Sequence, residues 1–283
     1  MPSLPGHHRN AKEVEPGRLR PETYHSDTTR ISKSGLDLIN RAPAHYWQRY
    51  LSPYRPEHDT QAFLIGRAFH VAVSEPDKFF DRYIVSPAKI DRRTREGKEK
   101  WAEFELAAEG KTILQSEPDP RSRHLGYDQV MRMRDSARRH PAVSYLLSSG
   151  IAEEISLWED GLTGAACKSM RDWRIGNIIV DFKSTDDASP EGFGRSVRKY
   201  RYDVQNAFYI DGYFEATGQR AEAFIFVAVE KKPPYICEAY YLPPEDVDRA
   251  REKYQANLIA YVECRKSGKW GGYTDGKINL LTI

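Results

Sequence analysis

The sequence predicts one α/β domain, a mixed central sheet flanked by helices on both faces. Three observations predict it. Ile178 to Lys183 is an apolar, β-branched run entered from Gly176-Asn177, a two-residue turn signal, so it reads as one arm of a hairpin with the segment before it. Ala223 to Val229 (AFIFVAV) is continuously apolar, the pattern of a strand buried on both faces. Between them, residues 203–217 have helical spacing and close on Gly218.

The chain of 283 residues, 40% apolar and with 17 Tyr, 11 Phe and five Trp, can build a sizeable core. It has no run of 18 apolar residues, and MPSLPGHHRNAKEVEPGRLRPE lacks an apolar stretch, so neither a membrane span nor a secretory signal is expected. Cys167, Cys237 and Cys264 are odd in number and far apart, which argues for a reducing compartment, the cytoplasm, and against a disulfide frame. The net charge of +2 gives a nucleic-acid role no bulk support, so any such surface must be local.

In chain order, residues 1–27 lack periodicity and read as a flexible arm, with the domain running over 28–283. Ser34-Gly35-Leu36-Asp37 resembles a capping-box start for a short helix that Pro43 ends. Residues 61–73 fit a helix with Phe63, Gly66, Phe69, His70 and Val73 on one face, and Gly66 suggests close approach of another backbone. The 86–140 region reads as a helical, basic elaboration. Its first part, with Arg92, Arg93, Arg95, Lys98 and Lys100, is equally a solvated segment or a phosphate-contacting one. A helix over 126–140 carries Arg132, Arg134, Arg138 and Arg139. Strands are expected near 153–158, 165–174, 178–183, 223–230 and 235–242. Ser189-Pro190 starts a further helix, and Pro243-Pro244-Glu245 opens a long one to about residue 266. Trp270-Gly271-Gly272-Tyr273 reads as packing.

Period-2 alternation puts Ile178, Val180 and Phe182 on one face of their strand and Ile179, Asp181 and Lys183 on the other. The hairpin could return Asp172 to Asp181. Two hard carboxylates beside a lysine suit Mg²⁺, or Mn²⁺ in its place. The lysine can then orient or deprotonate a metal-bound water while the metal stabilises phosphate charge. Arg195, Arg198, Lys199 and Arg201 form the densest nearby basic patch and are the natural DNA-phosphate contacts, with Arg92 and Arg93 as further candidates.

Asp172…Asp181-Phe182-Lys183 resembles the signature of the PD-(D/E)XK nuclease superfamily, with Arg171 where a proline often stands. Gln205-x-x-x-Tyr209 and His70 in Gly66-Arg67-Ala68-Phe69-His70 resemble motifs of its exonuclease branch. Residues 200–209 (YRYDVQNAFY), Ile31-Ser32-Lys33-Ser34 and Ala42-Pro43-Ala44-His45-Tyr46 are similar to the RecE-like, exodeoxyribonuclease VIII group. The likeness runs collinearly over roughly residues 30–275. It implies a restriction-endonuclease-like core. It also implies metal ligation by His70, Asp172, Asp181 and the Phe182 carbonyl, a weaker assisting role for Glu154, catalysis at Lys183, and site organisation by Gln205 and Tyr209. Related enzymes with an iron–sulfur cluster carry a cysteine where this chain has Ala42, so no cluster is expected.

The resemblance further implies a 5′→3′ exonuclease on double-stranded DNA ends. It would leave 3′ overhangs for a single-strand annealing protein in phage recombination, and would act as a homo-oligomer inside a bacterial host cell. A single-strand-specific or nicking nuclease on the same fold, and a catalytically idle DNA-binding scaffold, stand as alternatives.

Overall fold

A computed structural model describes residues 21–54, 61–87, 90–116, 126–274 and 276–281. The chain starts with α1 (Pro21–Ser26), α2 (Lys33–Arg41), α3 (Pro43–Tyr46) and a wide helical turn over Trp47–Leu51. Next come α4 (Gln61–Ser74), α5 (Phe79–Arg82), β1 (Tyr83–Val85), α6 (Arg95–Ala107), β2 (Thr112–Leu114), α7 (Tyr127–Arg139) and α8 (Pro141–Leu146). The central sheet and its helices are β3 (Ile151–Glu159), β4 (Ala166–Ile175), β5 (Ile178–Thr185), α9 (Pro190–Tyr200), α10 (Tyr202–Thr217), β6 (Ala223–Glu230), β7 (Cys237–Tyr240) and α11 (Pro244–Ser267).

The sheet runs β3-β4-β5-β6-β7, with β5 and β6 parallel and the other neighbours antiparallel. The parallel pair requires a crossover, and α9 and α10 supply it. All five expected strands form, the last shortened to Cys237–Tyr240. The β4–β5 turn has Gly176 at φ 54, the positive value that a tight hairpin asks of its first central residue.

The two faces of β5 separate as alternation requires. Val180 and Phe182 pack with Phe69 and Val73 of α4 and Met133 and Ala137 of α7, while Ile179 packs with Phe193 of α9 and Tyr213 of α10. Each fully buried aliphatic or aromatic side chain contributes about 1.5–3 kcal/mol. A third cluster joins the ends of the chain, with Leu36 and Ile39 of α2 against Phe208 of α10 and Tyr254 and Leu258 of α11. Trp270 stacks on Tyr46 at 5.4 Å, and the Tyr273 hydroxyl lies 2.8 Å from His45, so this segment packs as expected.

Several expectations are corrected. Helix α2 begins at Lys33 rather than after Ser34, because Asp37 pairs with Lys33 at 2.7 Å instead of closing a capping box. Residues 21–26 of the presumed arm are helical, held by the Lys168 ammonium on the Tyr24 and Asp27 carbonyls. Residues 1–20 lie outside the described residues, as does the Phe63 side chain. Gly66 meets no backbone: a Cβ there would find only the Ser184 hydroxyl at 3.9 Å. The short parallel pair β1–β2 had no counterpart among the expected strands. In α6, Arg95 pairs with Glu99 and Lys100 with Glu96, and the Arg92 guanidinium lies 4.0 Å from the Trp101 ring centre. Two cations of that stretch, Arg95 and Lys100, are therefore paired with glutamates one helical turn away. On α7, Arg138 donates inward to the Val73 carbonyl at 2.9 Å.

Gly212 of α10 sits against the Trp158 ring of β3, where a Cβ would overlap ring atoms. Gly212→Ala should therefore destabilise the domain by about 1–3 kcal/mol, as overpacking does. Urea unfolding should show a lower midpoint with an unchanged slope.

Candidate active site

Strand β5 carries Asp181 and Lys183 on the face toward α10, and three other elements bring partners to them. The registered pairing of β4 with β5 ends at Trp173–Val180. One residue beyond it, the Asp172 carboxylate takes over from the ladder and accepts the Phe182 N–H at 2.9 Å. The N–H and C=O of one strand residue point to the same side, so the Phe182 carbonyl faces this gap too. From α4, His70 places Nδ1 3.4 Å from Asp172 Oδ2. From α10, Gln205 donates to Asp181 Oδ1 at 2.5 Å and accepts from Lys183 Nζ at 3.0 Å. Lys183 Nζ lies 2.6 Å from Asp181 Oδ2, an oxygen buried without a well-directed hydrogen bond.

The electrostatics follow from these distances. Burial raises the Asp181 carboxyl, and the nearby Asp172 charge adds to this; Lys183 offsets it only in part, so Asp181 stays above the usual carboxylate value. Burial also acts on Asp172, but His70, Lys183 and the Phe182 N–H outweigh it and hold that carboxyl low. Lys183 and His70 are each disfavoured as cations by burial, yet Asp181 and Asp172 overcome this and raise both. The result is a closed set of two acids and two bases in which each charge depends on its neighbours.

Nucleases of this fold typically use divalent metal ions, and the donor chemistry here suits one. Asp172, the under-bonded Asp181 Oδ2 and the Phe182 carbonyl are hard oxygens around one gap. Mg²⁺ takes one or two carboxylates and completes its shell with water and phosphate. Among the described residues no three His, Cys, Asp or Glu side chains converge as a metal-holding group, so the expected set of His70, Asp172 and Asp181 is not assembled as three ligands. His70 instead engages Asp172.

The remaining candidates divide. Tyr209 lies one turn after Gln205, its ring centre 6.2 Å from that of Phe224 with 69° between the planes. Burial raises its hydroxyl strongly, with the charges of Asp181 and Asp172 adding to this. Arg195, Arg198 and Lys199 are exposed on α9. Arg201 is not available to phosphate as expected. At φ 53 it joins α9 to α10, and its guanidinium turns inward to Asp37 at 3.1 Å and Asn257 at 2.6 Å. Arg92 stacks on Trp101, and Arg93 is exposed on the loop before α6.

Glu154 is neither an exposed edge residue nor part of the gap. Its carboxylate accepts from Arg171 at 2.9 and 3.1 Å and from Arg174 at 2.6 and 2.7 Å, and Arg171 also donates to Ser156 at 2.8 Å. Two guanidiniums thus occupy the oxygens that a metal would need. Arg171, only 1% exposed, is the residue that replaces the proline of the signature.

Tyr202 is a site residue that the sequence reading missed: Lys183 Nζ lies 4.5 Å from its ring centre. Its position three residues before Gln205, on the same face of α10, was the available signal. Lys33 also approaches the site, donating to the Tyr200 carbonyl at 2.6 Å.

A mixed five-stranded sheet with this acid–acid–lysine gap defines a nuclease-type PD-(D/E)XK domain. The family described as a PDDEXK-like domain of unknown function (DUF3799) matches residues 32–282, and the chain belongs to it. No curated protein matches the chain. Among solved structures, a "Putative exonuclease" from Eubacterium rectale superposes with a TM-score of 0.62 at 17% identity, over 89% of this chain and 87% of that one. A phage related exonuclease from Haemophilus somnus 129PT gives a TM-score of 0.33 at 12% identity, over 70% of this chain and 95% of that one, too low to bear on the fold. Among the described residues no helix is long and apolar enough to cross a membrane.

Glu154→Ala would strand two guanidiniums and should cost about 3–5 kcal/mol of stability. Burial raises the Glu154 carboxyl, but Arg174 and Arg171 more than offset this and hold it below its usual value. Its contribution is therefore complete above the unfolded value of about 4.3 and is lost as pH falls through the folded one. Urea midpoints measured from pH 7 down to pH 3 should fall more steeply for the wild type than for the variant.

Proposed function

We propose that the chain is a metal-dependent DNA exonuclease acting 5′→3′ on double-stranded ends. It would generate 3′ overhangs for a single-strand annealing partner in phage-type recombination, and work as a homo-oligomer. One observation carries the nuclease reading: Asp172, Asp181 and Lys183 meet around one gap, with Gln205 bridging the last two. Polarity, duplex preference and partner rest on the resemblance to the exodeoxyribonuclease VIII group.

A divalent cation held by Asp172, Asp181 and the Phe182 carbonyl would supply Lewis-acid stabilisation of phosphate charge. The chain's own groups do the rest. Lys183, held protonated between Asp181 and Gln205, orients the attacking water and balances charge on the phosphate. Gln205 fixes the lysine and the carboxylate relative to each other, which limits the reorganisation needed during reaction. His70 holds Asp172 toward the gap, leaving its second oxygen for other partners.

Digestion of a blunt linear duplex, labelled at its 5′ or 3′ ends, tests the proposal. Mg²⁺ should support release of mononucleotides from 5′ ends, EDTA should stop it, and Lys183→Ala should lower the rate by about 10²–10⁴-fold. Cleavage confined to single strands or circles would overturn the substrate. Retained DNA binding without any cleavage would overturn the enzyme.

His70→Ala leaves Asp172 without its imidazole partner but keeps the Phe182 N–H. Its main expected effect is a rise, about tenfold or more, in the Mg²⁺ concentration giving half-maximal rate. A titration of rate against Mg²⁺ reads this directly.

A further inference from the structure

Beside the gap, a cavity of about 340 Å³ opens between the end of β5 and α9. That volume lies within the range of small-ligand sites. Lys183 lines it, so it adjoins the reacting position. Its other walls combine two chemistries. Phe193, Tyr200 and Tyr202 present aromatic surface, and Arg195, Lys199 and Lys231 present cations.

The aromatic groups are ordered. The Tyr200 and Tyr202 rings stack at 5.6 Å with 28° between planes. Lys199 Nζ lies 5.2 Å from the Tyr200 ring centre and Lys183 Nζ lies 4.5 Å from that of Tyr202. This series of side chains leads from the catalytic ammonium to the surface, where Tyr200 is 49% exposed and the exposed Lys199 side chain can swing off the ring to admit a base. Tyr202 is braced from behind by Phe226 at 6.0 Å, so the platform is fixed. The acids in the cavity are already engaged: Asp186 with Lys231 at 2.8 Å and Asp187 with Arg195 at 3.0 Å. Both acids are well exposed, and such pairs yield readily to a stronger anion.

A bare phosphate needs only the cations, and the outer face of a duplex end is shared by two paired bases, broader than a cavity of about 340 Å³ can take. A single nucleotide uses both walls. We infer that this cavity is a subsite for one unpaired deoxynucleotide, its base against Tyr200, its own 5′-phosphate toward Lys231 and its 3′-oxygen toward Lys183. The inference rests on the nuclease reading and deepens it: the terminal base leaves its partner before cleavage, water adds to the scissile phosphate as its bond to the 3′-oxygen breaks, the phosphate stays on the DNA as its new 5′ end, and the subsite takes the departing nucleotide with its 3′-hydroxyl. Stacking reads any base, so the site is tolerant of sequence, as successive removal of nucleotides requires.

Titration of the full chain in EDTA tests this without cleavage. The ligands are dAMP, dTMP, deoxyadenosine and inorganic phosphate, followed by calorimetry or ligand-observed NMR. Both nucleotides should bind with similar Kd, and deoxyadenosine and phosphate each at least about tenfold more weakly. Tyr200→Ala should weaken both nucleotides by at least about fivefold, the low end for loss of one base–aromatic stack, and Tyr200→Phe should restore them. Equal binding of dAMP and phosphate, an unaffected Tyr200→Ala variant, or no nucleotide binding at 10-millimolar order (~10 mM, a weak limit on the affinity scale) would overturn the subsite. Lys183-dependent cleavage of DNA with any of those results leaves the nuclease reading intact. Tyr200-dependent dAMP binding by a protein that cuts no DNA leaves the subsite and removes the nuclease reading.

Discussion

Two carboxylates held in one gap, Asp181 buried and Asp172 half-buried, are the constraint around which the rest of the fold is arranged. An isolated buried carboxylate is expensive, and a second one nearby makes it more so. The chain meets this with compensation from four directions: Lys183 on the same strand as Asp181, the Phe182 N–H for Asp172, His70 from α4 and Gln205 from α10. None of these partners satisfies Asp181 Oδ2 with a well-directed hydrogen bond. The set is therefore balanced in charge and still leaves one hard oxygen without a hydrogen bond, the donor type that a divalent cation takes.

The same logic, carried one layer out, explains Arg171. A proline before the first acid would need no partner. A guanidinium at 1% exposure needs several, and it finds Glu154, Ser156 and the Tyr213 ring at 5.0 Å. Glu154 shares its carboxylate with Arg174 as well, so β3 and β4 are locked together on either side of Asp172. Just opposite, Glu153 adopts φ 50 and turns its carboxylate to Arg82 at 3.0 Å. The sheet is thus locally distorted where it yields from ladder to site, at a cost of the order of 1–3 kcal/mol for the strained residue.

Much of this was legible in the sequence. The β5 alternation, the Gly176 turn, the Ser189-Pro190 start and the Gly218 stop are local signals, and local chemistry decides them. The convergence of Asp172, Asp181 and Lys183 was legible because a hairpin and a period-2 strand leave little freedom. The fates of Glu154 and Arg201 were not legible, because both depend on partners far away in sequence: Arg201 turns to Asp37 and Asn257. Runs of like charge are also ambiguous in sequence. Counting Arg and Lys over 92–100 overlooks the glutamates one turn away that pair with Arg95 and Lys100.

The junction between α9 and α10 carries a further consequence. Lys33 of α2 holds its backbone at Tyr200, and Arg201 clasps α2 through Asp37 and α11 through Asn257. Elements more than 160 residues apart in the chain therefore close on the few residues that position Tyr202 and Gln205. The strands and crossover of 151–240 contain every acid of the gap, but they do not contain its scaffold. The reactive geometry belongs to α2, the α9–α10 junction and α11 together, and the signature motif cannot be lifted out as a portable cassette.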